Sequence, residues 1–240
     1  MKELLRAAIM GAGINLDELA LSRLARHWEL LREANAKFNL TAITDPETAV
    51  EKHYLDSLLA LESLEAQTSP DASGNVLCDL GSGGGFPGLA LAIARPELPI
   101  TLVEATEKKC AFLESCAAEL GLTKLRVLNA RAEEAGRLPE LRESFGMVTA
   151  RALAAMNVLC EYALPLLRLG GNLWAYKGAG WQEECAGAEQ ALQLLGGRVA
   201  ESREYQLPGG DQRCLLRVEK IAPCPGKYPR RPGMPNKRPL

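Results

Sequence analysis

The chain has 240 residues, of which 47% are hydrophobic and 24% charged, and its formal net charge at pH 7 is −2. This size and composition predict a globular protein with one large domain and a small appendage. The slightly acidic balance argues against a protein that binds nucleic acid over its whole surface. No apolar run is long enough to span a membrane and no signal peptide is evident, so we expect a cytoplasmic protein without a membrane anchor.

The seven cysteines and two histidines limit the metal and redox chemistry of the chain. The cysteines form no Cys-x-x-Cys pair, and His27 and His53 lie far apart in the sequence. We therefore predict no metal site, and thiols that stay reduced.

The residue pattern of positions 1–66 predicts an N-terminal helical extension. Over residues 2–38, apolar side chains recur at helical spacing with charged residues between them, which indicates a helix with one packed face. A further helix is expected to begin at Thr44 through a capping box, or at Asp45 with Pro46 as its first helical residue.

Three polar residues, His53, Asp56 and Ser57, share one face of that further helix because they stand at positions i, i+3 and i+4. Their types match a hydrolase triad, but side chains this close on one helix rarely reach the required geometry. Two interpretations stay open: a polar face that grips a loop or a substrate phosphate, and a simple hydrogen bond between His53 and Asp56.

Residues 66–75 are rich in Pro, Ser and Gly and predict a linker. Between residues 76 and 222, predicted strands and helices alternate, which indicates a mainly parallel sheet with helices on both faces. The last two strands have no helix between them and are expected to pair antiparallel through residues 207–213. A helix predicted over 153–169 should kink or break at Pro165. The seven predicted strands cover residues 76–80, 100–103, 125–129, 147–150, 172–176, 198–206 and 214–218.

A glycine-rich turn, Asp79-Leu-Gly-Ser-Gly-Gly-Gly-Phe-Pro-Gly88, joins the first predicted strand to a helix. Glycine accepts positive φ there and lets a ligand approach the backbone. A dinucleotide-binding fingerprint needs glycine at Phe86, and the triphosphate motif Gly-x-x-x-x-Gly-Lys-Ser/Thr is missing from the chain. Glu104 ends the next strand, where parallel sheets hold ribose hydroxyls. The pattern predicts an S-adenosylmethionine pocket of a Rossmann-like methyltransferase domain, with a ligand-free tight turn as the alternative.

The candidate cofactor contacts follow the carboxyl ends of the predicted strands, where doubly wound sheets bind ligands. Glu104 is expected to accept hydrogen bonds from ribose hydroxyls, and the residues after the third strand to contact adenine. Arg151, with Lys177 after the fifth strand, suits an anionic substrate, or pairs with a nearby carboxylate. The full set is Asp79, Gly81, Gly83, Phe86, Glu104, Ala105, Thr106, Ala132, Glu133 and Arg151.

No catalytic nucleophile or base is predicted. Methylation of a nitrogen with an exposed lone pair, such as guanine N7, needs neither, because alignment in a dry pocket supplies most of the rate. A C5-pyrimidine methyltransferase needs an activated cysteine. Cys78, Cys110 and Cys116 instead lie inside predicted strands or helices, which is typical of inert thiols.

Residues 223–240 form a basic tail with six prolines, five cations and no acidic residue. The prolines predict that the tail forms neither helix nor sheet. It is therefore expected to be disordered or to lie on the surface as an extended arm.

The glycine-rich turn resembles that of the GidB family, bacterial small-subunit rRNA guanine-N7 methyltransferases. The resemblance covers about residues 35–240, and Glu104 stands where many members have Asp. Four further stretches agree: Phe38-Asn-Leu-Thr41, His53-x-x-Asp56-Ser57-Leu58, Thr149-Ala-Arg151-Ala, and Tyr228-Pro-Arg-Arg-Pro-Gly-x-Pro-Asn-Lys237.

The resemblance implies a class I methyltransferase fold with an N-terminal helical extension, S-adenosylmethionine as donor, and a guanine in the conserved 530 loop of 16S rRNA as acceptor. The domain would span residues 76–222, and an ordered basic tail would neutralise rRNA phosphates. The cofactor contacts implied by motif match are Gly81, Phe86, Glu104, Ala105, Thr106, Ala132, Glu133 and Arg151. The candidate RNA contacts are Asn39, His53, Lys177, Arg230 and Arg231.

Two other functions stay open: a methyltransferase that acts on a small molecule or a protein, and a non-catalytic module that senses the cofactor or binds RNA. An NAD-dependent oxidoreductase is disfavoured by Phe86. The sequence leaves undecided whether naked rRNA or an assembling small subunit is the substrate, and what His53 and Asp56 do. We expect a monomer.

Overall fold

The computed structural model describes residues 1–65 and 76–240, so the predicted linker 66–75 lies outside the described residues. A seven-stranded sheet with the order β3-β2-β1-β4-β5-β7-β6 forms the centre of the molecule. The first five strands are parallel, whereas β7 pairs antiparallel with both β5 and β6. The predicted mainly parallel sheet and its antiparallel last pair are therefore confirmed. The strands are β1 (Leu77–Leu80), β2 (Ile100–Glu104), β3 (Leu125–Asn129), β4 (Phe145–Arg151), β5 (Leu167–Gly178), β6 (Gly197–Gln206) and β7 (Gln212–Lys220).

Helices cover both faces of the sheet, and successive strand residues point into two separate apolar clusters. Leu102 and Met147 face the cluster that includes the N-terminal helices, whereas Val103 and Val148 face the other one. The helices are α1 (Lys2–Gly11), α2 (Glu18–Asn35), α3 (Pro46–Ala49), α4 (Asp56–Leu58), α5 (Leu61–Glu65), α6 (Gly88–Ala94), α7 (Glu107–Glu119), α8 (Ala132–Ala135), α9 (Met156–Ala163), α10 (Trp181–Ala186), α11 (Glu189–Leu195) and α12 (Met234–Lys237), and a π-helical segment, Val50–Leu55, joins α3 to α4.

The strand order reverses between β1 and β4, because β2 and β3 lie on one side of β1 and β4 and β5 on the other. In open parallel sheets, ligands bind outside the carboxyl ends of the strands at such a switch point. The glycine-rich turn after β1 and the segment after β4 meet there. None of the described helices is long and apolar enough to cross a membrane.

The helix predicted over residues 2–38 is two helices, which corrects that prediction. Gly13 adopts a positive φ of 76° between them. Asp17 then caps α2, since its Oδ1 accepts a hydrogen bond from the Ala20 N–H at 2.7 Å. Downstream, Asp45 caps α3 with Pro46 in its first turn, which decides between the two predicted starts of that helix.

The helix predicted over 153–169 is shorter than expected. It ends at Ala163, and strand β5 begins at Leu167. Pro165 lies between them, as predicted for a break, because proline cannot continue a helix and restricts the residue before it.

The basic tail is an ordered arm on the surface. Arg142 donates from Nη1 to the carbonyl of Tyr228 at 2.7 Å and from Nη2 to that of Cys224 at 3.0 Å. Glu133 accepts a hydrogen bond from the Gly233 N–H at 2.8 Å. The prediction that the tail contains no helix was wrong, because α12 forms there. Pro235 lies in the first turn of α12, where a backbone N–H has no partner within the helix, so the missing N–H of proline costs no hydrogen bond.

Candidate cofactor and substrate site

The turn after β1 is built by glycines in the left-handed region, where other residues are strained. Gly81 and Gly83 have φ values of 72° and 55°. A Cβ added to Gly83 would meet only the carbonyl oxygen of Gly81, 3.8 Å away, so this side of the turn is open. A Cβ on Gly88 would instead lie 2.5 Å from Asp79 Cβ and Leu102 Cδ2, which shows how closely α6 packs on the sheet. The turn thus offers an open backbone surface on a tightly packed base.

The Asp79 carboxylate supports the turn from inside the protein. It is fully buried, and burial raises its pKa. Its Oδ2 accepts from the Gly88 N–H at 3.1 Å, and its Oδ1 accepts from the Thr149 hydroxyl at 2.8 Å. These bonds tie β1 to the start of α6 and to β4, so this predicted cofactor contact holds the shape of the site from behind.

The Glu104 carboxylate faces the glycine turn, as the sequence predicted. Its Oε2 accepts from the Gly83 N–H at 3.0 Å and its Oε1 from the Thr106 N–H at 2.9 Å. Only 6% of the residue is exposed. An ionised carboxylate has about four acceptor positions, so two remain for hydroxyl groups of a ligand.

Two neighbouring cavities lie at this edge of the sheet. A smaller one of 260 Å³ is lined by Glu104, Ala105 and Ala132, which were predicted cofactor contacts. A larger one of 780 Å³ is lined by Gly83 and Phe86, among others. Both are also lined by Gly81, Ala152 and Leu153.

A short wall formed by the three shared residues marks where the two cavities meet. Ala152 has a positive φ of 53°, unusual for a residue with a side chain. The Leu153 side chain lies over the turn, with Cδ1 2.7 Å from where a Cβ of Gly81 would be. The two cavities joined at this wall suit an elongated ligand with a ribonucleoside at one end, so the residues present fit S-adenosylmethionine.

Arg151 lines the larger cavity but is paired. Its Nη1 donates to Asp56 Oδ2 at 2.9 Å and to the carbonyl of Lys52 at 3.0 Å. Its guanidinium carbon lies 5.4 Å from the centre of the Phe86 ring. Of the two sequence-based interpretations, pairing with a carboxylate is therefore the one observed.

The polar face of the helix that was predicted to begin near Thr44 grips a loop, as one of the two interpretations expected, since Thr41 lies in the loop between α2 and α3. Asp56 accepts from the Tyr205 hydroxyl at 2.7 Å as well as from Arg151, and the expected His53–Asp56 hydrogen bond is replaced by a bond between His53 Nε2 and the Thr41 hydroxyl at 2.8 Å. The hydroxyl of Ser57 donates to the carbonyl of His53, so the three residues form no triad.

His53 presents a neutral aromatic ring. It stacks on Phe86 with a centroid distance of 4.5 Å and an interplanar angle of 14°. Burial, together with the nearby charge of Arg151, lowers the pKa of His53 to about 3. The larger cavity therefore contains an aromatic pair that stays uncharged at neutral pH.

Lys177 lies in the larger cavity with a partner that the sequence did not reveal. Its Nζ donates to Glu184 Oε2 at 2.7 Å and to the carbonyl of Ala154 at 2.8 Å. No motif marks Glu184, because it reaches the cavity through the packing of α10 against α9.

His27 is a second residue that sequence reasoning missed. It is fully buried on α2, its Nε2 donates to the carbonyl of Gly84 at 3.0 Å, and its Nδ1 accepts from the Tyr54 hydroxyl at 3.0 Å. Burial lowers the pKa of His27 to about 4, so the neutral ring carries its proton on Nε2. The N-terminal extension thus holds the glycine turn directly.

The remaining predicted residues lie outside the two cavities. Arg230 forms an ion pair with Glu161, a fully buried carboxylate that also accepts from the Arg230 backbone N–H at 2.7 Å. Glu133 binds the arm rather than lining a cavity. Asn39 and Arg231 are exposed.

The family model described as rRNA small subunit methyltransferase G (GidB) matches residues 20–212. The chain is 43% identical over 237 residues to the ribosomal RNA small subunit methyltransferase G of Leuconostoc citreum (strain KM20), which covers 98% of this chain and 97% of that protein. It is 44% identical over 240 residues to the protein of the same name from Roseiflexus castenholzii (strain DSM 13941 / HLO8), with all of both chains covered.

Solved structures with low sequence identity share the fold. Cofactor-bound Rv0187 from MTB superimposes with a TM-score of 0.59 at 18% identity, covering 84% of this chain and 91% of that one. A mutant of the 16S rRNA (adenine(1408)-N(1))-methyltransferase from Catenulisporales acidiphilia, with cosubstrate SAM, gives a TM-score of 0.53 at 18% identity, covering 68% of this chain and 91% of that one. The expected class I methyltransferase fold is thereby confirmed. Given the family model and the full-length relatives, this chain belongs to the GidB family of rRNA small subunit methyltransferases.

Proposed function

We propose that the protein transfers a methyl group from S-adenosylmethionine to N7 of a guanine in the conserved 530 loop of 16S rRNA. Membership in the rRNA small subunit methyltransferase G family supports the reaction class. The observation that carries the proposal is the Glu104 carboxylate, bonded to the Gly83 and Thr106 amides beside an open glycine turn. This arrangement suits a ribose whose two hydroxyls need a fixed acceptor.

The chain's own residues would hold the donor in the two joined cavities. Glu104 would accept from the ribose, Ala105 and Ala132 would flank the adenine, and the backbone of Gly83 would lie against the amino-acid part. When bound, the donor supplies an electrophilic methyl group on a positively charged sulfur. Fixed placement next to the acceptor is then the main contribution of the protein to the rate.

The acceptor chemistry agrees with the side chains present. Guanine N7 has an exposed lone pair, so no proton leaves before the attack and no general base is required. Burial raises the pKa of the Cys78 thiol well above its usual value and that of Cys116 to about 12, which keeps these cysteines from acting as nucleophiles. The stacked ring pair of His53 and Phe86 offers an uncharged aromatic surface for the base.

The surface arm is the proposed contact for the RNA backbone. Its exposed cations have no acidic partner among residues 1–65 and 76–240, unlike Arg230, which is bound to Glu161. Because Glu133 on α8 accepts from the Gly233 N–H, the part of the arm around Gly233 lies close to Ala132, which lines the smaller cavity. Such a surface neutralises phosphates even though the whole chain is slightly acidic. The exposed cations are Lys227, Arg231, Lys237 and Arg238 on the arm and Arg131 and Arg137 beside it.

We also propose that the protein acts as a monomer in the cytoplasm. Ribosomal RNA is assembled into subunits in that compartment in bacteria.

The decisive test is mass-spectrometric mapping of methylated bases in small-subunit rRNA from cells with and without the gene. We expect one N7-methylguanine to be lost on deletion and restored by the wild-type gene. The Gly83→Val variant should fail to restore it, because a branched side chain at positive φ would enter the donor site. An unchanged methylation pattern after deletion would contradict the proposal. Transfer to naked rRNA and to assembled subunits, compared in purified reactions, identifies the substrate form.

A further inference from the structure

Two carboxylates line the larger cavity, and only one of them is available to a substrate. Asp56 has a side chain that is 2% exposed and uses both oxygens, Oδ2 for Arg151 and Oδ1 for Tyr205. Because so little of this side chain is exposed, Asp56 is closed to a ligand. The other carboxylate is Glu184 on α10.

Glu184 is held in place but keeps one oxygen open. Its Oε2 accepts from Lys177 Nζ at 2.7 Å and from the Met156 N–H at 3.2 Å. Its Oε1 has no hydrogen-bond partner within the part of the chain that the structure describes, and 36% of the side chain is exposed. The result is a fixed acceptor in the same cavity as Gly83 and Phe86.

Lys177 is poorly suited to the phosphate contact that its sequence position suggested. It is only 8% exposed, and its charge is matched by Glu184 at 2.7 Å. A matched pair of this kind exerts little net attraction on a phosphodiester. It does combine a hydrogen-bond donor and an acceptor side by side, which is what the edge of a nucleobase requires.

Guanine differs from adenine at position 6, beside N7, and along the edge that carries N1 and position 2. Guanine presents the O6 acceptor followed by the N1–H and N2 amino donors, whereas adenine has an amino donor followed by an unprotonated N1. When N7 of the base points at the donor methyl group, its N1 and N2 groups face the wall of the cavity, where side chains can form hydrogen bonds with them. A carboxylate accepts from guanine there and would repel the lone pair of adenine N1.

We propose that Glu184 selects guanine by accepting hydrogen bonds from its N1–H and N2 amino group, and that Lys177 positions this carboxylate. The inference rests on the proposed function, since it names the residue that recognises the base in that reaction. Hydrogen bonds to a charged acceptor discriminate by about tenfold to a hundredfold.

The test uses small ribosomal subunits reconstituted with rRNA that carries either guanosine or inosine at the mapped target. Inosine retains N7, O6 and N1–H but lacks the N2 amino group. For the wild-type enzyme we expect kcat/KM to fall by about tenfold or more on inosine. For the Glu184→Gln variant, we expect kcat/KM on guanosine to fall by a similar factor. Its kcat/KM on inosine should be little lower than on guanosine, because the variant has no charged acceptor for the N2 amino group that inosine lacks.

The matched control is Glu183→Gln, which removes an exposed carboxylate from the same helix outside the cavity. S-adenosylmethionine affinity, measured by calorimetric titration, should stay unchanged in both variants, since neither residue is among the proposed donor contacts. Rates are compared per mole of donor-binding protein, because Glu184→Gln removes the charged partner of Lys177, which is only 8% exposed. Equal activity of Glu184→Gln and wild type on guanosine, or an equal inosine penalty in both, would overturn the inference alone. Failure of the wild-type enzyme to methylate guanosine-containing subunits would instead overturn the proposed function.

Discussion

A single buried histidine connects the N-terminal extension to the cofactor turn. His27 donates to the Gly84 carbonyl and accepts from Tyr54, so it is bonded through both nitrogens while neutral. Protonation would place a charge in the core, away from water, and a second donor opposite the Tyr54 hydroxyl. This explains why the pKa of His27 falls to about 4.

This pKa predicts a pH dependence of stability. The unfolded chain protonates His27 near pH 6.5 and the folded chain only near pH 4. Unfolded molecules therefore bind more protons in this window, so the free energy of unfolding falls as the pH drops from 6.5 to 4, by about 3 kcal/mol. In His27→Gln the amide still donates to Gly84 but does not titrate. Urea unfolding at pH 7 and pH 4 should show a loss smaller by about that amount in the variant, and parallel losses would contradict the prediction.

Glu104 provides the second prediction at the residue scale. Glutamine at this position has one oxygen and one amino group, so it cannot accept from both the Gly83 and Thr106 amides and from the ribose as well. We expect Glu104→Gln to weaken S-adenosylmethionine binding by about tenfold to a hundredfold in a calorimetric titration.

The control for that variant is Glu107→Gln, an exposed carboxylate in the first turn of α7. It should bind the donor as tightly as the wild type. Wild-type affinity in Glu104→Gln would mean that the ribose is held elsewhere.

At the scale of the elements, the surface arm places two neighbouring arginines in different surroundings. Arg230 pairs with Glu161, which is fully buried, whereas the next residue, Arg231, is exposed. The arm is further fixed by Arg142 and by Glu133. A proline-rich segment without strand or long helix is thus ordered by side chains of the domain beneath it.

The two arginines are therefore expected to behave oppositely. Arg230→Ala leaves a buried carboxylate without its charged partner and should destabilise the protein by about 3 kcal/mol. Arg231→Ala should leave the melting temperature unchanged but weaken rRNA binding and lower the salt dependence of log K by about one. Thermal unfolding and binding titrations at several salt concentrations measure both effects. A loss of stability in Arg231→Ala, or none in Arg230→Ala, would contradict this assignment.

At the scale of the whole molecule, the extension and the sheet share one apolar cluster. Leu31 and Trp28 of α2 belong to the same cluster as Leu89 of α6 and Trp174 of β5. The division into residues 1–66 and 76–222 made from the sequence remains a prediction about organisation, and this cluster favours a single cooperative unit.

Cooperative unfolding can be followed at both ends of that cluster. In a Trp181→Phe background, which removes the third tryptophan of the chain, Trp28→Phe leaves Trp174 to report on the sheet, and Trp174→Phe leaves Trp28 to report on the extension. We expect, within each variant, the fluorescence transition to coincide with the loss of helical signal in urea. An extension that unfolds at lower urea than the sheet would show two independent units.

The sequence by itself determined the elements whose signals are local. Alternating strands and helices predicted the seven strands and the antiparallel last pair, because each apolar run is bounded by turn residues. The glycine turn and the acid at the end of the second strand predicted the cofactor site, since positive φ and a ribose acceptor depend on residue type and spacing. Only the tertiary structure decided which charged side chains form ion pairs within the protein. Arg151, Lys177 and Arg230 all look like RNA contacts in the sequence, but each meets a carboxylate that the fold brings from another element. His27 was missed because a buried hydrogen bond between distant segments leaves no pattern along the chain. Glu184 was missed because its bond to Lys177, although it spans only seven residues, depends on how the chain turns from β5 into α10.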